Sequence, residues 1–255
     1  MDKKNLMVIS SAEQLLEGRT RREFLKLVGL GGAVIFLPSV LASCNNSSSS
    51  GDIMGPPGSG APLVIDFAKG DIAVLQFAYA LEQLEADFYT RVVANFSSSL
   101  SANEQTVLGD IKNHEVIHRE ALKAVLGASN GFTVNTTYGG LNFSDRAAVL
   151  TTARTFEDLG VAAYNGAAQY LSSTANLLVA GKIVSVEARH ASAIRDLIAP
   201  STSGQGDNGT SFAPKSFDDV FSPGKVKTAA QAFVVEQITF SNPPSTFVQG
   251  PNNNG

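Results

Sequence analysis

The sequence predicts an all-α protein: an antiparallel four-helix bundle with a long crossover between helices 2 and 3 and a short helix near the C terminus. Three observations predict this fold class. The 255 residues are 44% hydrophobic, enough for one large core. Four stretches between residues 71 and 197 have apolar residues at helical periodicity. The first and last links between them are short, whereas the middle link, residues 128–143, is long enough to cross the bundle.

Each predicted helix has boundary signals that place it. Ser101 and Glu104 form a capping box at the start of the second helix, and Gly127 is a typical C-terminal signal for its end. Pro200 stops the fourth helix. The predicted bundle helices are Asp71–Phe96, Ser101–Gly127, Ser144–Leu171 and Asn176–Leu197, and the predicted short helix is Thr228–Ile238.

Residues 1–44 are predicted to be a twin-arginine signal peptide with a lipobox, not part of the fold. Thr20–Lys26 matches the twin-arginine consensus. The apolar stretch Leu27–Val40 is too short to cross a bilayer core of about 30 Å as a helix. Leu41–Cys44 resembles a lipobox, in which Cys44 carries the lipid; a plain signal peptide with a chance cysteine is the alternative. We therefore expect export to the periplasm or cell envelope, with a lipid anchor in a membrane.

The remaining domain boundaries follow from composition. Residues 45–64 are rich in Ser, Gly and Pro and predict a flexible tether. Residues 65–200 form the predicted bundle. Residues 201–255 are expected to hold a loop, the short helix and a mobile tail from Asn242 onward.

Composition excludes several classes of function. The chain has 19 Lys and Arg against 23 Asp and Glu, so it lacks the basic surplus of a nucleic-acid-binding protein. Its single cysteine excludes an intramolecular disulfide, a zinc ribbon and a cysteine-ligated iron–sulfur cluster. With only three histidines, any metal site has to depend mainly on carboxylates.

Two motifs, each present twice, predict the site. The second and fourth helices contain Glu-x-x-His, and the first and third contain Glu-x6-Tyr. Residues three or seven positions apart lie on nearly the same side of a helix. The first motif is Glu115–His118 and Glu187–His190, and the second is Glu82–Tyr89 and Glu157–Tyr164.

One Glu from each of two helices, with Glu-x-x-His from the other two, is the ligand arrangement of di-iron and di-manganese carboxylate proteins. Carboxylates are hard ligands that can bridge two cations, and one imidazole for each metal leaves positions open for dioxygen or hydrogen peroxide. Four anionic ligands also balance two divalent cations. The pattern therefore predicts two iron ions, or two manganese ions, as cofactor.

The chain resembles the ferritin-like superfamily, and more narrowly its exported members, which include desiccation-related proteins. Four segments carry the resemblance: 81–89 (LEQLEADFY), 114–118 (HEVIH), 156–164 (FEDLGVAAY) and 187–190 (EARH). The resemblance implies a di-metal four-helix bundle whose metal ligands are Glu82, Glu115, His118, Glu157, Glu187 and His190. It implies a metal site more firmly than a particular reaction.

Several alternatives remain open at this point. His114, Glu115 and His118 also match the His-Glu-x-x-His motif of zinc metalloproteases, with Glu115 as general base. That interpretation leaves the second Glu-x-x-His unexplained. In the di-metal interpretation His114 is a packed residue or supports a ligand. Glu85 competes with Glu82 as the ligand of the first helix, because the two lie one turn apart.

The tyrosines and the reaction have alternatives too. Tyr89 and Tyr164 are either core aromatics or donors that orient ligand carboxylates through their hydroxyls. An enzyme would react its metals with dioxygen or peroxide, as a ferroxidase, peroxidase or catalase does. A non-catalytic protein would bind the same metals for sequestration, for stability or for protection of the envelope against drying and stress.

Overall fold

The computed structural model describes residues 61–199 and 212–250. Within them, four long helices pack together and a short helix follows, which confirms the predicted all-α bundle. The helices are α1 (Asp71–Ala94), α2 (Ala102–Asn130), α3 (Arg146–Ala167), α4 (Thr174–Ile198) and α5 (Pro223–Ala230). The predicted signal peptide, the lipobox with Cys44 and most of the predicted tether lie outside the described residues.

The ends of α2 follow the signals in the sequence. The Ser101 hydroxyl accepts a hydrogen bond from the Glu104 N–H, and the Glu104 carboxylate accepts one from the Ser101 N–H, so the capping box is formed. At the other end, Gly127 has a φ of +65°, which residues with a side chain rarely adopt. The helix is kinked there, where its end was expected, and then continues to Asn130.

The direction of the helices explains the long crossover. α1 packs along α2, its neighbour across a short link, and is antiparallel to it. α1 is also antiparallel to α3, because Tyr89 bonds Glu157 while the earlier Glu82 bonds the later Tyr164. α2 and α3 therefore run in the same direction, and residues 131–145 have to return along the bundle before α3 begins.

The crossover is fixed to the middle of α1 by hydrogen bonds. The Val134 N–H donates to Gln83 Oε1 over 3.0 Å, and the Thr136 hydroxyl donates to Asp87 over 2.6 Å. Tyr138 donates its hydroxyl to the same Asp87 carboxylate over 2.9 Å. The buried side chain of Gln83 thus satisfies a backbone donor of an irregular segment, as a buried loop requires.

Two apolar clusters lie on either side of a central polar layer. On α2, for example, Leu108 belongs to one cluster and Leu122 to the other, with Glu115 and His118 between them. On each of the other three long helices, residues of the two clusters likewise lie on opposite sides of the buried glutamate. Each fully buried large apolar side chain contributes about 1.5–3 kcal/mol to stability, so the two clusters hold the helices around the polar layer.

The short C-terminal helix lies earlier in the chain than predicted. α5 begins at Pro223, and the Ser222 hydroxyl accepts a hydrogen bond from the Lys225 N–H at its start. The prediction of a helix over Thr228–Ile238 is therefore wrong in position: the Ser-Pro start signal precedes that range. A single 3-10 turn, Gln231–Phe233, follows α5, and the chain then becomes extended.

A small parallel sheet, which the sequence did not predict, joins the two ends of the described chain. β1 (Leu63–Asp66) pairs with β2 (Ile238–Ser241). β1 includes the last two residues of the predicted tether. Beyond β2, Gln169 bonds both the N–H and the carbonyl of Val248, so this part of the expected mobile tail is packed against the bundle. Among the described residues, no helix has the length and apolar character needed to cross a membrane.

Candidate metal centre

Each of the four long helices contributes one completely buried glutamate to the polar layer. Apolar residues on both sides shield these carboxylates from solvent. His118 on α2 and His190 on α4 are also buried. The glutamates, in the order of the helices, are Glu82, Glu115, Glu157 and Glu187. All six ligands expected from the resemblance therefore lie in one layer.

The six side chains form two overlapping groups whose ligand atoms lie within 4.8 Å of one another. In the first group, His118 Nδ1 lies 2.9 Å from Glu187, 3.3 Å from Glu115 and 3.6 Å from Glu82. In the second, His190 Nδ1 lies 2.8 Å from Glu115, 3.3 Å from Glu157 and 3.9 Å from Glu187. The groups are the first position (Glu82, Glu115, His118, Glu187) and the second position (Glu115, Glu157, Glu187, His190).

Glu115 and Glu187 belong to both positions and divide their oxygens between them. Glu115 turns Oε2 toward His118 and Oε1 toward His190. Glu187 does the reverse, with Oε1 toward His118 and Oε2 toward His190. A carboxylate with one oxygen at each of two neighbouring positions has the geometry of a bridging ligand. Glu82 and Glu157 each belong to one position only.

Tyrosine hydroxyls hold the two carboxylates that belong to one position. Tyr164 donates to Glu82 Oε1 over 2.5 Å, and Tyr89 donates to Glu157 Oε1. The second oxygen of each carboxylate is left facing its histidine. Burial raises the pKa of both tyrosines well above the usual value, so they remain donors at physiological pH.

The layer contains buried polar atoms without a hydrogen-bond partner, which is costly in a protein interior. Both oxygens of Glu187 are of this kind, as is one oxygen on each of the other three glutamates. Glu115 Oε1 and His190 Nδ1 lie 2.8 Å apart without the alignment of a hydrogen bond. Oxygens and an imidazole nitrogen that face one another without bonding suit cations placed between them, so the donor set fits two metal ions.

The shifted pKa values of His190, Glu82 and Glu115 show that the buried carboxylates favour positive charge in the layer. Burial works against charge on His190, but its contacts with Glu115 and Glu157 raise its pKa to about 10. Burial raises the pKa of Glu82 to about 7. It also opposes ionisation of Glu115, yet contacts with the two ligand histidines lower that pKa to about 2. Below these pKa values, protons on His190 and on Glu82 thus offset carboxylate charge that bound cations would otherwise neutralise.

The structure also places the competing residues. His114 is exposed and lies outside both positions; its Nδ1 is 2.8 Å from Nε2 of His190. Among the described residues, neither candidate metal group contains His114, so the geometry does not bring His114 and His118 together as ligands of one ion. Glu85 is buried but belongs to neither position, so Glu82 is the better candidate for the ligand on α1.

Gly160 on α3 is a site residue that sequence reasoning missed. A Cβ at this position would lie 3.2 Å from Glu85 Oε1 and 3.4 Å from Glu187 Oε2. The glycine therefore leaves space for two carboxylates. A signal for it was present: when Glu82–Tyr89 is aligned with Glu157–Tyr164, Gly160 falls at the place of Glu85.

Fold and site together define a four-helix-bundle protein with a buried carboxylate–histidine cluster that could hold a metal. The family of ferritin-like domains matches residues 70–200, just over half of the chain, and the chain belongs to this family. The match covers all four long helices, the last of which ends at Ile198. No curated protein matches the chain.

Proposed function

We propose that the chain binds two iron or two manganese ions in the polar layer and uses them to reduce dioxygen or hydrogen peroxide. One observation carries this proposal: Glu115 and Glu187 are completely buried, and each turns one oxygen toward His118 and the other toward His190. Two adjacent divalent ions would supply two electrons by each becoming trivalent, the number that converts dioxygen and two protons to hydrogen peroxide, or hydrogen peroxide and two protons to two waters. An external reductant would then return both ions to the divalent state.

The chain's own residues select and hold the cations. Each position offers three carboxylates and one imidazole, a mixed hard and borderline set that suits iron and manganese. Four carboxylates balance the charge of two divalent cations, which lowers the cost of placing them in an apolar interior. Tyr89 and Tyr164 keep Glu157 and Glu82 turned toward the histidines.

A small apolar cavity reaches the layer only through Tyr164, whose hydroxyl bonds Glu82. It adjoins Tyr164 and measures about 20 Å³. Its walls come from α1, α2, α3 and α4, and include Leu75, Leu122, Leu171 and Val179. A space of this size holds a molecule about as large as water, and an apolar lining favours dioxygen over polar molecules.

Metal analysis tests the binding half of the proposal. The purified chain should contain about two iron or manganese ions when loaded without oxygen, as di-metal sites of this type do. Glu115→Ala and Glu187→Ala should each lose both ions, because each removes a ligand from both positions. Glu120→Ala, a part-exposed change on α2, is the matched control and should keep both. Unchanged metal content in the first two variants would contradict the proposal.

Oxidant consumption tests the catalytic half. The loaded chain should consume dioxygen or hydrogen peroxide, as followed with an oxygen electrode and by peroxide absorbance, and Glu115→Ala should not.

One observation favours a second candidate, a non-catalytic metal-binding protein: its four glutamates are completely buried, which suits a metal that stabilises the fold. A loaded chain that consumes neither oxidant but unfolds at a higher temperature than the chelator-treated chain would support this second candidate.

We also propose that the protein works in the cell envelope, exported by the twin-arginine route and anchored through Cys44. The motif Thr20–Lys26 and the sequence Leu41–Cys44 support this. A paired Arg21→Lys and Arg22→Lys variant should stay in the cytoplasm on fractionation, and Cys44→Ala should lose labelling by a radioactive fatty acid. Export of the paired lysine variant at the wild-type level would contradict the route.

A further inference from the structure

The two metal positions are related by an approximate two-fold repeat, but their surroundings differ. Glu115 and His118 on α2 have the same Glu-x-x-His spacing as Glu187 and His190 on α4. Each histidine belongs to one metal position, and both glutamates belong to both positions. The residue before Glu115 is His114, whereas the residue before Glu187 is Val186. Each position therefore has a histidine ligand, but the two helices differ in what they place next to it.

His114 contacts the far side of the His190 ring. His190 Nδ1 faces the carboxylates of Glu115 and Glu157, while its Nε2 lies 2.8 Å from His114 Nδ1. The ring planes differ by 10° and the ring centres are 5.1 Å apart. This separation equals the N···N distance plus one ring radius on each side, so the two nitrogens point directly at each other.

Metal binding would fix the direction of this hydrogen bond. A neutral imidazole that gives Nδ1 to a cation carries its proton on Nε2. His190 then donates to Nδ1 of His114, whose own proton lies on its other nitrogen. Hydrogen bonds of this kind orient a ligand imidazole, and their loss typically costs about 10–100-fold in metal affinity. Val186 has no polar side-chain atom with which to do the same on α4.

We propose that His114 is a positioning residue that makes the two metal positions unequal, so that the position served by His190 binds a divalent cation more tightly than the position served by His118. This inference rests on the proposed function, because it requires that both positions bind metal. It adds a filling order: the His190 position fills first.

The test is a titration of the full chain with Mn²⁺ in the absence of oxygen, in which isothermal calorimetry measures the affinity of each position. The wild-type chain should show two unequal affinities. His114→Ala should weaken the tighter one by about 10–100-fold and leave the weaker one nearly unchanged. His114→Asn should recover much of the loss, because the asparagine Oδ1 takes the place of Nδ1 as acceptor. Val186→Ala is the matched control on α4 and should change neither affinity.

A spectroscopic measurement separates positioning from a general structural effect. In the Co²⁺-loaded chain, the Nε2 proton of His190 should give a shifted NMR signal that exchanges slowly with solvent. In His114→Ala that signal should exchange fast, while the melting temperature stays near that of the wild type, because His114 is exposed. Two equal affinities, or a His114→Ala variant that weakens neither or both alike, would overturn the inference alone. A wild-type chain that binds no divalent cation would overturn the proposed function and this inference together.

Discussion

At the scale of single residues, the repeat of the two Glu–Tyr pairs decides how the site is built. Tyr89 and Tyr164 sit on the same stripe as the glutamate of their own helix, but each bonds the glutamate of the other helix. Spacing alone predicted that the hydroxyls orient carboxylates. It did not reveal this exchange of partners, because the exchange depends on α1 and α3 being antiparallel.

Replacing Tyr164 by Phe should loosen Glu82. The change removes the 2.5 Å hydrogen bond and leaves a buried carboxylate oxygen unpaired, which typically costs about 1–3 kcal/mol of stability. Urea unfolding of the metal-free chain measures this loss. Tyr170→Phe is the control, since its hydroxyl bonds the carbonyl of Thr246 at a part-exposed position and its loss should matter little. Equal effects of the two changes would contradict the role given to Tyr164.

The metal-free chain should lose stability as the pH rises. The pKa of Glu82 rises from 4.5 to about 7 on folding, and that of His190 from 6.5 to about 10. Groups with a raised pKa stabilise the fold fully below their unfolded pKa, and this contribution is lost as the pH rises through the folded value. The loss therefore runs from about pH 4.5 to pH 7 for Glu82 and from about pH 6.5 to pH 10 for His190.

The lowered pKa of Glu115, about 2, acts in the opposite direction but only in acid. Its contribution is complete above the model-peptide value of 4.5 and is lost as the pH falls through 2. Urea unfolding in the presence of a chelator, measured at several values from about pH 5 to pH 9, should thus show a steady fall in the free energy of unfolding as the pH rises. Saturating Mn²⁺ should flatten it, because bound cations displace these protons. A metal-free stability that increases over this range would contradict the pattern.

At the scale of elements, the helices could be predicted and the strands could not. Capping residues and apolar periodicity are local, so the limits of all four long helices lie within a few residues of their predicted values. The strands are four residues each, and Leu63 pairs with Ile238. A pairing between segments this short and this far apart in sequence leaves no local pattern. The prediction for α5 is wrong although its start signal is local: Ser222 and Pro223 begin the helix five residues before the predicted start at Thr228.

Among the described glycines, Gly166 on α3 has the least space for a side chain. A Cβ there would lie 1.8 Å from the Phe221 carbonyl oxygen, and Phe221 is bonded through its N–H to the carbonyl of Ala162. Gly166→Ala should therefore push the segment before α5 off the bundle. The expected loss is at least about 1–3 kcal/mol in urea unfolding.

Gly181 on α4 provides the matched control. It is helical and exposed, and a Cβ there meets nothing within 4 Å. Gly181→Ala should stabilise the chain by about 0.5–1 kcal/mol, because alanine restricts the unfolded chain and favours the helix. If Gly166→Ala were as stable as Gly181→Ala, the close contact between α3 and residue 221 would be contradicted.

At the scale of the whole molecule, the site is a property of the bundle and not of any one helix. The packing of the four long helices brings residues far apart in sequence into one layer between two apolar clusters. The sequence predicted which residues meet there, because the motifs repeat. It did not predict the sharing of Glu115 and Glu187, the contact between His114 and His190 or the space at Gly160, since these depend on the packing of facing helices.

The most direct test of the central claim is anomalous X-ray scattering from a crystal of the chain loaded with iron or manganese. We expect two peaks about 3.5–4 Å apart, one beside His118 Nδ1 and one beside His190 Nδ1, with Glu115 and Glu187 reaching both. A single peak between His114 and His118, or no peak within the layer of glutamates, would contradict the claim that the four helices build a two-metal centre.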